Sequence, residues 1–97
     1  MKQYILYGWD GKDEKALDRR MLVRPNHLAN ASKLKEKGNF IIGGAILNDE
    51  GNMIGSTMIM QFEDEKGLQE WLDTEPYITE KVWEHFELKP FRVAKVE

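Results

Sequence analysis

Residues 40–47, with the sequence FIIGGAIL, decide the fold of this chain. A continuous apolar run of this length is typical of a β-strand that is buried on both faces. The next residues, NDEGN at 48–52, have the composition of a hairpin loop. A further strand is predicted at residues 55–63, so the middle of the chain is predicted to be a β-hairpin.

A helix is predicted on each side of this hairpin. Residues 25–37 have a helical pattern that stops at Gly38, a residue type that commonly ends helices. Beyond the hairpin, Asp64 is placed to cap a second helix. That helix should end at Glu75, because a residue before a proline avoids the helical conformation, and Pro76 should begin a short further turn.

The first and last strands of the pattern lie near the two ends of the sequence. Residues 2–9 are rich in aromatic and aliphatic side chains, and residues 84–95 predict the last strand, with Pro90 at an edge or a bulge. Residues 12–23 between the first strand and the first helix are charged and have no clear period. The order β-α-β-β-α-β predicts a ferredoxin-like α+β fold, with a four-stranded antiparallel sheet and two helices on one face. We expect residues 1–97 to form one such domain.

Two helices cover only one face of such a sheet. The strands at residues 2–9 and 40–47 are nevertheless apolar on both sides. The uncovered face would leave an apolar patch larger than monomers usually expose. The simplest remedy is a second copy packed sheet to sheet, so the pattern predicts a homodimer.

Composition narrows the class of protein. The chain is 41% hydrophobic and 32% charged, and no segment approaches the roughly 20 apolar residues of a membrane span. The N-terminus does not resemble a signal peptide and cysteine is absent, which fits a cytoplasmic protein without disulfides or thiolate metal sites. A net charge of −3 and a pI near 5.4 argue against a nucleic-acid partner, as does the lack of an aromatic and basic signature at residues 55–63. Two histidines in distant parts of the sequence make a weak case for a metal, and no cofactor motif is present.

The first predicted helix carries an arginine and a histidine on its inward side. At 3.6 residues per turn, Arg24 and His27 fall within one broad apolar arc between residues 17 and 38. The apolar members of this arc are Leu17, Met21, Leu28, Ala31 and Leu34. A core-facing arginine or histidine must find polar partners or line a cavity. The sequence therefore predicts a functional site on this helix.

An ordered set of short motifs runs between about residues 19 and 93. Its members are Arg24-Pro25-x-His27-Leu28, Gly38, Gly43-Gly44-Ala45, Gly55-Ser56-Thr57, Glu75-Pro76-Tyr77 and Lys89-Pro90-Phe91. In this set the chain resembles the YciI-like (YCII-related) family. The resemblance implies a dimeric α/β barrel of ferredoxin-like subunits and a pocket that contains a histidine and an acidic residue.

The resemblance also assigns positions in this pocket. The family's histidine corresponds to His27, and its usual aspartate-proline-tyrosine corresponds to Glu75-Pro76-Tyr77, with glutamate one methylene longer than aspartate. One branch of the family consists of dehydrochlorinases in chloroaromatic breakdown, and no residue here assigns the chain to that branch.

The first functional hypothesis is a cofactor-independent enzyme that acts on a small molecule, anionic or derived from an aromatic compound. His27 would be the general acid or base and Glu75 would orient it, because an imidazole gives and takes protons at neutral pH. The substrate would be held by Arg24, Ser56 and Tyr77. Elimination or isomerisation is the favoured reaction, since both need only positioned proton transfer. The second hypothesis is a non-catalytic small-ligand-binding or accessory module on the same dimeric fold, and a cofactor-free monooxygenase ranks third, by fold analogy alone.

Each candidate also has a purely structural interpretation. His27 can be a core histidine bonded to a backbone carbonyl, and Arg24 can form a salt bridge with Glu75 or with an acid near the C-terminus. Glu75 can cap a helix or lie in solvent. Ser56 can simply follow a turn, and Tyr77 can be an ordinary core tyrosine.

Overall fold

A computed structural model describes residues 1–97 and contains a four-stranded antiparallel sheet with helices on one face. Its elements, in chain order, are β1 (Lys2–Asp10), α1 (Ala16–Glu36), β2 (Phe40–Leu47), β3 (Met53–Phe62), α2 (Glu65–Thr74), α3 (Pro76–Thr79) and β4 (Trp83–Phe91). The strands lie in the order β2-β3-β1-β4, and every neighbouring pair is antiparallel. The predicted ferredoxin-like α+β fold is confirmed.

The first helix begins nine residues earlier than predicted. It starts at Ala16, so Pro25 lies inside it rather than in its first turn. An interior proline costs a helix one hydrogen bond. The turns before Pro25 are nevertheless helical because they bury Ala16, Arg20 and Val23 against the sheet, and tertiary packing outweighs local propensity. The helix ends as predicted: Gly38 has φ 77°, and its N–H donates to the Lys35 carbonyl.

The buried face of α1 is not the predicted arc. Met21 and Leu28 are 48% and 47% exposed, whereas the buried side chains follow a stripe rotated by one residue. That stripe comprises Ala16, Arg20, Val23 and Leu34. Leu34 belongs to both sets, so the predicted arc is right near the end of the helix and wrong before Pro25, where Arg20 was not among its predicted members.

The strand that suggested the fold is not buried on both faces, and that expectation is wrong for the chain by itself. β2 pairs only with β3 and forms one edge of the sheet. Ile42, on the face without helices, is 61% exposed. An edge strand has neighbours on one side only, so its side chains stay accessible unless something else covers them.

The other edge of the sheet is β4, which pairs only with β1. Pro90 lies in this edge strand, as predicted, because proline cannot donate to a second neighbour. The strand ends at Phe91 rather than at residue 95, and residues 92–97 have no regular structure.

The core lies between the sheet and the helices. Leu6, Met58 and Met60 of the central strands pack with Val23 of α1 and Trp71 of α2. The opposite sheet face has no helix over it. Its apolar side chains, from here on called the open sheet face, are Ile5, Tyr7, Trp9, Ile42, Ile46, Ile59 and Phe91. None of the helices combines the length and the apolar character needed to cross a membrane.

Candidate functional site

A buried acid–imidazole pair joins α1 to the start of α3. Glu75 Oε1 lies 2.5 Å from His27 Nδ1, and the Glu75 side chain is completely buried. The same carboxylate accepts hydrogen bonds from Asn30 Nδ2 at 3.2 Å and from the Tyr77 N–H at 3.1 Å. Glu75 therefore caps α3, as one interpretation had it, and also contacts the imidazole.

This contact assigns the two nitrogens of His27. An ionised carboxylate only accepts hydrogen bonds, so Nδ1 carries the hydrogen that it donates to Glu75. The nitrogen left for a ligand is Nε2, which in the neutral ring holds a lone pair. A carboxylate that fixes the orientation and tautomer of an imidazole in this way is a recurrent arrangement in acid–base sites.

Tyr77 packs against this pair. Its ring stacks on His27 with centroids 3.9 Å apart and an interplanar angle of 8°, and Trp83 meets it edge-on at 5.5 Å. The Arg20 guanidinium carbon lies 4.8 Å from the ring centroid. The Tyr77 hydroxyl is buried and has no hydrogen-bond partner. Burial raises the pKa of Tyr77, while Arg20 and Arg24 oppose the rise, so the hydroxyl stays protonated at neutral pH.

A second cluster of buried polar side chains surrounds Ser56. Arg20 Nη1 donates to both carboxylate oxygens of Asp10 at 3.0 and 3.2 Å, and its Nη2 donates to Ser56 Oγ at 2.8 Å. Trp83 Nε1 donates to the same oxygen at 3.2 Å. Burial raises the pKa of the Asp10 carboxyl, and the Arg20 guanidinium opposes that rise.

The sequence interpretation missed Asp10 and Arg20. A signal was present for Arg20, because it precedes His27 by seven residues and so lies two helical turns away on the same face. Nothing comparable marked Asp10, which becomes a partner only when β1 and α1 pack together.

The predicted residues meet at one cavity of about 100 Å³ between α1, β2 and β3. His27, Arg24, Ser56 and Tyr77 line it, and Glu75 lies behind His27 rather than in the wall. Arg24 forms no salt bridge, so the predicted structural alternative for Arg24 is wrong.

Another groove, of about 900 Å³, runs over the surface beside His85. It is larger, but His85 has no hydrogen-bonded carboxylate there, so the smaller cavity is the better candidate. Nowhere in the chain do three or more histidine, aspartate or glutamate side chains come together as a metal site would require.

Residues 4–92 match the YCII-related domain, and the chain is 37% identical to protein YciI of Escherichia coli over 95 residues, which covers 92% of this chain and 95% of YciI. The chain belongs to the YCII-related family.

Solved structures share its fold. The 5-chloro-2-hydroxyhydroquinone dehydrochlorinase TftG of Burkholderia phenoliruptrix, in complex with 2,5-dihydroxybenzoquinone, superposes with a TM-score of 0.78 at 21% identity, covering 95% of each chain. A dimeric ferredoxin-like protein from Jannaschia has a TM-score of 0.60 at 13% identity, covering 96% of this chain and all of that one. At these identities the likeness concerns the fold alone.

Proposed function

We propose that the protein is a cofactor-independent enzyme that transfers a proton within a small molecule, in an elimination or an isomerisation. The observation that carries this proposal is the hydrogen bond between His27 and the fully buried Glu75 at the wall of the cavity. A core histidine with a merely structural role would be satisfied by a backbone carbonyl and would need no cavity beside it.

In the proposed reaction, His27 Nε2 takes a proton from a carbon of the substrate. In an elimination, the electron pair of the broken C–H bond forms the new double bond, and the leaving group departs with its own bonding pair. In an isomerisation, the same proton returns to a different carbon. Glu75 stabilises the imidazolium that forms in either case. Positioned proton transfer of this kind contributes about 10²–10⁴-fold to a rate.

The substrate is a small anion in this proposal. Arg24 brings to the cavity a guanidinium that no carboxylate of the chain neutralises. A cavity of about 100 Å³ is smaller than the roughly 150 Å³ that holds benzene, so the part of the ligand that the chain encloses is smaller than a whole ring. The complex of TftG with 2,5-dihydroxybenzoquinone makes oxygenated single-ring compounds the first candidates to try.

The test begins with a thermal-shift screen of small carboxylates, phenols and 2,5-dihydroxybenzoquinone, followed by detection of products by NMR. On a substrate so found, His27→Ala should lower kcat by about 10²–10⁴-fold. Glu75→Gln should lower it less, because the amide oxygen still accepts from Nδ1. Arg24→Ala should mainly raise KM, because a carboxylate clamp acts in ground and transition states alike.

His85→Ala is the matched control, since it removes the only other histidine and lies outside the cavity. It should leave kcat and KM unchanged. Full activity of His27→Ala would refute the proton-transfer role. Tight binding without any turnover would support instead the non-catalytic ligand-binding module.

We further propose that the chain forms a homodimer through the open sheet face. Its apolar side chains have no cover in the single chain, and Ile42 alone is 61% exposed. A related fold from Jannaschia is dimeric. Light scattering should give about twice the chain mass of 11.3 kDa, and a stable mass near 11.3 kDa at micromolar concentration would contradict the proposal.

A matched pair of lysine substitutions locates the contact. Ile42→Lys should dissociate the dimer, because it would bury an unpaired charge between the sheets. Leu22→Lys is the control: Leu22 is 82% exposed on α1, away from the open sheet face, and its replacement should leave the mass unchanged.

A further inference from the structure

A groove of about 460 Å³ lies between the end of α1 and α2, away from the cavity at His27. The two share no wall residue. The polar side chains considered below are Asn30, Lys33 and Lys37 on one side and Glu70 and Trp71 on the other. This space is called the α1–α2 groove from here on.

The indole N–H of Trp71 has no hydrogen-bond acceptor within the chain. Trp71 is only 5% exposed, and its Nε1 is buried. A buried donor without a partner is unfavourable, so such a donor is expected to find an acceptor. The α1–α2 groove is the only cavity of the chain with Trp71 in its wall, so an acceptor from outside the chain can approach Trp71 only there.

The charges of the groove favour an anion as that acceptor. Lys33 and Lys37 are exposed in its wall, and neither forms a salt bridge. Glu70 is the only acid of the wall, so two lysines face one carboxylate. The carbonyls of residues 33–35 at this end of α1 already accept from the N–H groups of residues 37–39, so they do not attract a cation in place of an anion.

We propose that the α1–α2 groove binds a small oxyanion, which accepts from Trp71 Nε1 and is attracted by Lys33 and Lys37, and that Asn30 transmits this binding to His27. The ligand carries a carboxylate or a phosphate group, since both combine negative charge with several oxygen acceptors. The binding does not depend on the proposed function. The transmission rests on it for its consequence, a change in the strength of the catalytic base.

Asn30 connects the groove to the candidate site. It lines the groove, and its Nδ2 donates to Glu75 Oε2 at 3.2 Å. An amide nitrogen carries two hydrogens, so Nδ2 keeps one that it can donate to the oxyanion. An oxyanion that draws Asn30 toward the groove weakens the bond to Glu75 and leaves more of the carboxylate's charge to His27. Binding in the groove should therefore favour the protonated imidazole.

The indole signals of the ¹⁵N-labelled protein test the site. The chain has three tryptophans, Trp9, Trp71 and Trp83, and Trp71→Phe assigns the signal of Trp71. Sodium phosphate or sodium acetate replaces sodium chloride at constant pH and ionic strength. The Trp71 signal should move downfield and saturate in the millimolar range while that of Trp9 stays in place. The anion with the larger response distinguishes a phosphate-bearing from a carboxylate-bearing ligand, and a Trp71 signal that neither anion moves overturns the proposal.

Charge variants locate the anion. Lys33→Ala combined with Lys37→Ala should weaken binding at least about fivefold, and Glu70→Gln should strengthen it by roughly two- to fivefold. Lys35→Ala is the matched control, because Lys35 is exposed near the same end of α1 but does not line the groove. It should leave the affinity unchanged. These are surface positions whose replacement leaves the fold intact. Equal affinity in the double lysine variant and in the control would overturn the site.

The ring signals of His27 test the transmission. Phosphate can also reach Arg24 in the other cavity, so the relevant response is the part that the double lysine variant loses. This part should move toward the protonated form in the wild type. It should vanish in Asn30→Ala while the Trp71 signal still responds. No such response in the wild type, or one that persists in Asn30→Ala, overturns the transmission. Absence of turnover with both responses intact would refute the proposed function and leave the groove and its connection standing.

Discussion

Replacement of Glu75 measures how strongly the buried carboxylate holds the fold together. It accepts three hydrogen bonds, from His27, Asn30 and the Tyr77 backbone, with no help from water because it is fully buried. Glu75→Ala removes all three and leaves three donors without a partner. Loss of one partner of a buried charged group typically costs about 3–5 kcal/mol, and the helix cap is included in that loss. We therefore expect Glu75→Ala to lower the free energy of unfolding by about 4 kcal/mol.

Glu75→Gln separates the contribution of the Glu75 charge to stability from that of the side chain's shape. The amide oxygen of glutamine can accept from the Tyr77 N–H and from His27 Nδ1 as one carboxylate oxygen does. The amide nitrogen can donate to Asn30 Oδ1 if the Asn30 side-chain amide flips. Charge-assisted bonds become neutral ones, which we expect to cost about 1–2 kcal/mol. In a domain of this size each kcal/mol lowers Tm by roughly 4–8 °C, so the two variants should be clearly separated.

Urea unfolding followed by tryptophan fluorescence and circular dichroism gives both values, at one fixed protomer concentration because dimerisation adds to apparent stability. Glu70→Ala is the control: Glu70 is exposed on α2 and unpaired, and its loss should change stability by less than about 0.5 kcal/mol. If Glu75→Ala were as stable as this control, or if the glutamine variant were as unstable as the alanine variant, the reasoning from three charge-assisted bonds would be wrong.

Two further predictions concern Tyr77 and the glycines. Burial raises the pKa of Tyr77, so the folded chain keeps this proton at a pH where the unfolded chain has lost it; the resulting stability is present below pH of about 10 and is lost as pH rises through the folded pKa. Tyrosinate absorbance compared between wild type and Tyr77→Phe should show this late titration, and ionisation of Tyr77 at or below its ordinary pKa would contradict it. Gly8→Ala should lower stability by about 1–3 kcal/mol in thermal melts, because the new Cβ meets the Trp83 ring at 2.4–2.7 Å. Gly67→Ala is its control, with no neighbour closer than 3.4 Å, and should raise stability by up to about 1 kcal/mol; equal losses in both would show that the ring contact is unimportant.

The features that local sequence determined are those that act within one turn of the chain. Gly38 ends α1 because only a residue that tolerates φ 77° suits that position. Asp64 begins α2 because its side chain accepts from the Gly67 N–H three residues on. Together with the alternation of apolar segments, such signals are enough to predict the order of elements and hence the fold.

The contact between His27 and Glu75 could be predicted from the sequence for a different reason. Neither residue's neighbourhood implies the other, since 48 positions separate them. The helical pattern placed His27 inward, and the motifs shared with the YCII-related family supplied the acid. Their geometry is now visible, and their catalytic role stays a prediction.

The tertiary structure alone decided which charged residues are buried. Arg20 is 3% exposed because Asp10, ten positions away, and Ser56, thirty-six positions away, meet it at the same point. The apolar pattern gave no reason to place Arg20 inward, so the buried face expected before Pro25 was one residue off and the helix was predicted to start too late. The sequence likewise predicted that β2 is apolar, whereas its place at the edge of the sheet depends on pairing with β3 alone. Burial of a charge and position within a sheet depend on partners that are distant along the chain, and only folding brings those partners together.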